Sequence, residues 1–387
     1  MAEEKKLDRR EFVKCSCAAG GGLLMATPMG AMAANARKEN VKSRGYAAID
    51  TSGKLVPWSF ERRPVGDHDI LIDIKYASIC HSDIHQEKGH WGPQKYPQVP
   101  GHEIVGIVAA VGSKVTKFKV GDRAGVGCMV NSSLENLDHV ENEEQYTPGT
   151  VFTYGYPEKD SPTGISQGGY ATNIVVRDHF AVHIPEHISF QEAVPLLCAG
   201  ITTYSPLMKA RLKKGMKVGV AGIGGLGHMA IKIAISKGAE VYAFTTSASK
   251  VKDILGFGAK EVIVVDDLSK LAPYQGKLDY MISTIPYQYN VAAYVAVVKP
   301  YGTFCQVGMP ERFEVTLNAL GLAASRVNFN ASLIGGMKET QEVVDYCADH
   351  KVLPTIQIIR AEQINEAWES VVNKKARYRY VIDAATF

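Results

Sequence analysis

The chain has no apolar run of the about 20 residues that a membrane-spanning helix needs. It also has no disulfide framework. Of its seven cysteines, Cys15 and Cys17 fall in the leader, and Cys80, Cys128, Cys198, Cys305 and Cys347 are widely scattered. An excess of one charge is missing too: 43 Lys and Arg against 40 Asp and Glu leave a formal net charge of +3. No window is basic with interleaved aromatics, so nucleic acid is not an expected partner. Internal repeats and low-complexity tracts are absent, which excludes solenoids and arrays. What is present is length for two domains, 387 residues, with a hydrophobic share of 46 % that can fill two cores.

One stretch concentrates chemistry. Ile79-Cys80-His81-Ser82-Asp83-Ile84-His85, taken with Gly101-His102-Glu103, places a thiol, imidazoles and carboxylates among Gly and Pro turns. Sulfur and nitrogen donors with one carboxylate suit zinc better than magnesium or calcium. Close ligand pairs of a closed zinc finger are lacking, so a further ligand has to come from a distant segment, as in catalytic zinc sites. Cys198, in Leu197-Cys198-Ala199-Gly200, is the candidate. Taken alone, a Cys and a His this far apart are more often ordinary core residues.

Residues 1–36 read as a signal peptide. Arg9-Arg10 precedes Phe12 and Lys14, a weakly hydrophobic Ala- and Gly-rich stretch follows, and Ala31-Met32-Ala33 and Ala34-Asn35-Ala36 are small-x-small sites. The arginine pair and low hydrophobicity resemble a twin-arginine leader, with Asp8 where Ser or Thr is usual and Val13 where Leu is usual. Such a leader implies export of a folded, cofactor-loaded chain through the twin-arginine machinery to the periplasm. An inefficient leader would leave the protein cytoplasmic, and a plain N-terminal tail is the bland alternative.

Residues 41–187 read as short strands with frequent Gly and Pro turns, a β-rich first part of a catalytic domain whose loops would carry the metal ligands. The acidic, polar stretch between Cys128 and Thr147 reads as a surface loop. Residues 188–325 change character. The strand Met216–Ala221 runs into Gly222-Ile223-Gly224-Gly225-Leu226-Gly227, then an apolar-spaced helix, Gly238, and a second strand, Glu240–Thr245. A G-x-G-x-x-G is weak evidence alone, but strand, fingerprint, helix and strand together indicate a dinucleotide-binding βαβ unit. Gly222 makes the tight turn, Gly224 admits a pyrophosphate to the backbone, and Gly227 lets helix and strand pack closely, with the helix N-terminus facing the diphosphate.

After the second strand come Thr245-Thr246-Ser247-Ala248-Ser249-Lys250, where an NAD enzyme would carry an acid for the ribose hydroxyls. Hydroxyls and an ammonium suit a 2′-phosphate, hence NADP(H); a capped helix start reads the same residues without it. Further strands separated by helices suggest a doubly wound parallel sheet.

With these pieces in order, residues 41–387 resemble the medium-chain zinc-dependent alcohol dehydrogenases, in the cinnamyl-alcohol-dehydrogenase-like, NADP-dependent branch. The resemblance rests on Cys80 to His85, Gly101-His102-Glu103, Cys198-Ala199-Gly200, Gly222 to His228, Thr245 to Lys250 and Arg377 to Asp383. It implies a GroES-like catalytic domain with a Rossmann domain, residues 326–387 returning to the first, one catalytic zinc held by Cys80, His102 and Cys198, and Glu103 as a resting fourth ligand. It implies that Asp83 orients His102. It further implies a proton relay from Ser82 to His85 and on to solvent, and a substrate-pocket role for Trp91. The activity implied is hydride transfer between NADP(H) and small aldehydes or primary alcohols, with zinc acting as Lewis acid. A homodimer is implied as well.

One departure from the family stands out. Where it usually carries four cysteines of a structural zinc, this chain has Ser133, Asn136, His139 and Thr147, so no structural zinc is expected. Two other readings remain at this level: a zinc-free reductase of activated alkenes or quinones on the same fold, and an exported NADP-binding redox protein with little turnover.

Overall fold

The computed structural model describes residues 39–132, 142–312 and 314–387. The leader and the expected metal-replacing positions Ser133, Asn136 and His139 lie outside the described residues. Among the described residues no helix is long and apolar enough to cross a membrane.

The catalytic part is built around the strand Asp69–Ser78. It pairs antiparallel with Ile104–Val111, with Asn173–Arg177, and with Arg379–Asp383 from the end of the chain. The last of these pairings, Val381 opposite Ser78, ties the tail into the first domain. The hairpin Val41–Ala48 with Leu55–Arg62 lies ahead of it. Leu71 is buried on one side of the central strand and Ile70 and Ile72 on the other, in separate cores, so the strand is covered on both faces and its register is pinned.

The second part is a six-stranded sheet that is parallel throughout. Its spatial order is Glu261–Val264, Glu240–Thr245, Lys217–Ala221, Leu278–Ser283, Val298–Gln306, Asn328–Ala331. In chain order this is 3-2-1-4-5-6, the Rossmann arrangement, in which ligands bind beyond the carboxyl ends of the two central strands. Val218, Val220 and Ala221 are fully buried, as a parallel strand covered by helices on both faces requires. The helix Gly225–Ser236 follows, burying Met229, Ala230, Ile233 and Ala234. The helix Ala199–Lys209 packs against it.

Three features differ from the sequence expectation. The sixth strand, Asn328–Ala331, lies past residue 325, so the Rossmann sheet runs beyond the expected boundary. Two of the expected metal ligands sit at helix starts and not on strand-held loops: Cys80 caps the helix His81–Glu87, and Cys198 caps Ala199–Lys209. The acidic stretch before Thr147 is more than a surface loop. Glu144 is 2 % exposed, accepts the Met337 N–H at 2.9 Å at the start of the helix Met337–Asp349, and meets His179 Nε2 at 2.7 Å.

Candidate active site

A single cavity of about 700 Å³ joins the two halves. At one end its wall holds Cys80, Ser82, His85, His102 and Cys198; along the middle run Gly222, Gly224, Gly225 and Leu226; at the far end stand Thr245, Thr246, Ser247 and Lys250. Of the sequence-expected residues, Asp83, Glu103 and Gly227 lie behind this wall.

Four donors converge at the first end. One ligand atom from each of Cys80, His102, Glu103 and Cys198 lies within 4.8 Å of the others, and all four residues are buried. The two sulfurs stand 4.0 Å apart. Asp83 organises two of them: its Oδ2 accepts the Cys80 N–H at 2.9 Å and the Tyr170 hydroxyl at 2.8 Å, while its Oδ1 lies 2.9 Å from His102 Nδ1. That leaves His102 Nε2 for the thiols.

The two thiols at this end are shifted in opposite directions. The contact with Cys198, then His102 and Arg379, holds the Cys80 thiol well below its usual range. Contacts with Cys128 and Cys80, and then burial, push Cys198 well above it. Two thiols, an imidazole and a carboxylate gathered within 4.8 Å of one another form a donor set that fits zinc.

Glu103 has a second partner that sequence reasoning gave no role. It forms an ion pair with Arg379, and both are almost fully buried. Arg379 also packs on the glycine turn, where a Cβ on Gly225 would come within 2.6 Å of its Nη1. One arginine therefore connects the metal end to the start of the helix that faces a diphosphate. Its sequence signal was only membership of Arg377-Tyr378-Arg379, close to the chain end.

The glycine turn divides its labour as read from the motif. Gly222 has φ +82, a left-handed conformation that disfavours side chains. A Cβ on Gly227 would lie 2.1 Å from the Gly222 carbonyl oxygen, so only glycine lets the helix approach. A Cβ on Gly224 would meet no protein atom within 4 Å, so the space over that residue is an open cradle on the cavity wall. Beyond it, Lys250 is 4 % exposed and its Nζ donates to the Ile223 carbonyl at 3.0 Å. Burial, with Arg377 near, lowers this ammonium to about 8. Thr245 Oγ1 accepts the Ser247 N–H at 3.1 Å.

Ser82 Oγ stands 3.6 Å from Cys80 Sγ, at the edge of the donor cluster. His85 is 3 % exposed and its ring stacks on Trp91, centroids 5.3 Å apart. Burial and then His90 hold His85 below its ordinary value. Trp91 lines the cavity and donates from Nε1 to the Pro310 carbonyl at 3.2 Å, which makes it a wall residue and not a core one.

Two family models match the chain: the alcohol dehydrogenase GroES-like domain over residues 66–186 and zinc-binding dehydrogenase over residues 225–349. The NADP-dependent alcohol dehydrogenase C 1 of Mycolicibacterium smegmatis is 44 % identical over 344 residues, 88 % of this chain and 97 % of that protein. The solved structure of CAD from Helicobacter pylori complexed with NADP(H) matches with a TM-score of 0.85 at 40 % identity, covering 90 % of this chain and 99 % of that one. A cinnamyl alcohol dehydrogenase from Sorghum bicolor matches with a TM-score of 0.86 at 36 % identity, covering 89 % of this chain and 98 % of that one.

Proposed function

The chain belongs to the zinc-dependent medium-chain alcohol dehydrogenases of the cinnamyl-alcohol-dehydrogenase-like type, and from that premise we infer that it interconverts aldehydes and primary alcohols with NADP(H). The observation that carries this reading is the continuity of one cavity from the four-donor cluster, past the open cradle at Gly224, to Lys250.

Cys80, His102 and Cys198 would hold zinc, with Glu103 as an additional donor that Arg379 can draw away. When bound, zinc supplies Lewis acidity at the substrate oxygen and NADP(H) supplies or accepts the hydride. The chain's own residues do the rest. Asp83 fixes the His102 ring and the Cys80 backbone. Ser82, beside the donor cluster, takes the proton of the alcohol, and His85 carries it onward. Trp91 shapes the substrate end. Thr245, Thr246, Ser247 and Lys250 recognise the 2′-phosphate. The intact donor set disfavours a zinc-free reductase on the same fold.

The test is NADPH oxidation by the purified chain with an aromatic aldehyde, before and after a strong zinc chelator, with NADH in parallel. Chelator-sensitive turnover favouring NADPH is expected. Turnover that survives chelation would sink the metal reading, and bound NADPH without turnover would leave a binding protein.

Three finer points extend this proposal. The first is that one tightly held zinc accompanies each chain and no structural zinc is present. Glu144, bridging His179 and the Met337 N–H, supplies hydrogen-bonded support next to the segment where that metal would sit. The second is export by the twin-arginine route to the periplasm, supported by Arg9-Arg10 and the small-x-small sites. Cell fractionation of Arg9→Lys/Arg10→Lys should show the chain retained in the cytoplasm. The third is a homodimer, supported by the free edge of the Rossmann sheet at Asn328–Ala331.

A further inference from the structure

A second group of donors stands at the rim of the cavity. His85 Nδ1 lies 2.8 Å from His90 Nδ1, His90 Nδ1 lies 3.3 Å from Glu311 Oε1, and one ligand atom from each of the three lies within 4.8 Å of the others. His90 and Glu311 do not line the cavity, and nothing in the proposed reaction uses them. We propose that His85, His90 and Glu311 form a second metal site, for a divalent transition ion such as zinc, that clamps the catalytic domain to the Rossmann domain at the cavity mouth.

The donor chemistry comes first. Two imidazole nitrogens and one carboxylate form a zinc ligand set that leaves a fourth position for water, and imidazole disfavours magnesium and calcium. The spacing agrees with it. A tetrahedral ion with bonds of about 2.0–2.1 Å places its ligands roughly 3.3–3.4 Å apart. The His90–Glu311 separation is 3.3 Å already, and the two imidazoles at 2.8 Å need to part by only about half an ångström. The rings meet through Nδ1, so one Nδ1 carries the hydrogen of that contact; when an ion takes both Nδ1 atoms, that hydrogen passes to Nε2 of its own ring.

The frame is prepared as well. His85 belongs to the helix His81–Glu87, and the His90 N–H donates to the His85 carbonyl at 3.0 Å, which fixes the spacing of the two histidines. Glu311 comes from the other domain, five residues past the strand Val298–Gln306. The bond from Trp91 Nε1 to the Pro310 carbonyl holds the neighbours of His90 and Glu311 together before any ion arrives. The His90 and Glu311 side chains are 28 % and 58 % exposed, so the ion enters from solvent and leaves again when free metal falls. This separates it from the enclosed site of Cys80, His102 and Cys198. An ion here occupies His85 Nδ1 and holds the cavity mouth shut, so it slows turnover. The slowing rests on the reading of His85 as proton acceptor; the site itself does not.

Enzyme that has lost loosely held metal but keeps its catalytic zinc is dialysed against micromolar zinc, and metal per chain is measured for wild type, Glu311→Gln and His90→Gln. Wild type should rise from one zinc to two, with turnover falling about tenfold and recovering on a weak chelator. Glu311→Gln, a rim substitution, should keep the basal rate, stay at one zinc and lose the inhibition. His90→Gln gives an independent second reading of the metal count. A second equivalent bound equally by both variants, or none bound by wild type, overturns the site. A second equivalent that depends on His90 and Glu311 but leaves turnover unchanged overturns the clamp.

Discussion

Both carboxylate oxygens of Asp83 are engaged in holding other groups: the Cys80 N–H and Tyr170 hydroxyl on one, His102 Nδ1 on the other. The carboxylate thereby sets the tautomer of His102 and the direction of its Nε2. An amide at this position keeps the shape but loses the charge that steadies the ring. Asp83→Asn should therefore weaken zinc binding by about 10–100-fold, read by competition with a chromogenic chelator. Unchanged affinity would show that Asp83 merely caps the helix. Lys250 makes a prediction of a different kind. Its pKa, lowered to about 8 by burial and by Arg377, leaves it charged below that pH and neutral above it. The preference for NADPH over NADH in kcat/KM should therefore be full below pH 8 and decline as pH rises through that value. Lys250→Ala should lower kcat/KM for NADPH by about tenfold or more, the worth of a charge-assisted hydrogen bond, spare NADH, and flatten the pH profile of the ratio. A ratio that ignores both pH and the substitution would assign 2′-phosphate recognition elsewhere.

At the scale of the element, the glycine turn separates binding from folding. Gly224→Ala puts a methyl into an open cradle that no protein atom borders, so the melting temperature should hold while the dissociation constant for NADPH rises. Gly227→Ala drives a methyl into the Gly222 carbonyl and should lower stability first, visible in the urea midpoint without any cofactor. If both variants lost only stability, the cradle would have no claim on a diphosphate. This loop was legible in the sequence because all its information is local: turn, approach and packing are fixed within six residues flanked by strand and helix. The metal cluster was legible in its residue types, but Cys198 joins Cys80 only through the fold. Arg379 was not legible, since its two partners, Glu103 and the Gly225 turn, lie in distant parts of the chain. The helix His81–Glu87 escaped because seven residues offer too little periodicity to oppose the surrounding Gly and Pro turns. The strand Asn328–Ala331 escaped because it is only four residues long and, on a sheet edge, three of them are exposed.

At the scale of the whole molecule, that same edge is one of the two that the Rossmann sheet leaves open, the other being Glu261–Val264. The sheet ends in Asn328–Ala331, with no further strand beyond it among the described residues. The adjoining helix Ala319–Ser325 buries none of its residues, and Leu320 is 79 % exposed. An unpaired edge with an apolar helix beside it is costly to leave in water and is self-complementary about a two-fold axis. Pairing two copies there would satisfy the free backbone groups and cover Leu320, while the cavity, on the carboxyl side of the central strands, would stay open to substrate. Wild type should therefore scatter light as twice the chain mass, and Leu320→Asp should shift the population toward the monomer as concentration falls. A monomer so produced should still bind NADPH, because neither Lys250 nor the glycine turn belongs to this edge. Wild type at single-chain mass across the concentration range would leave the exposed helix without a second copy to cover it.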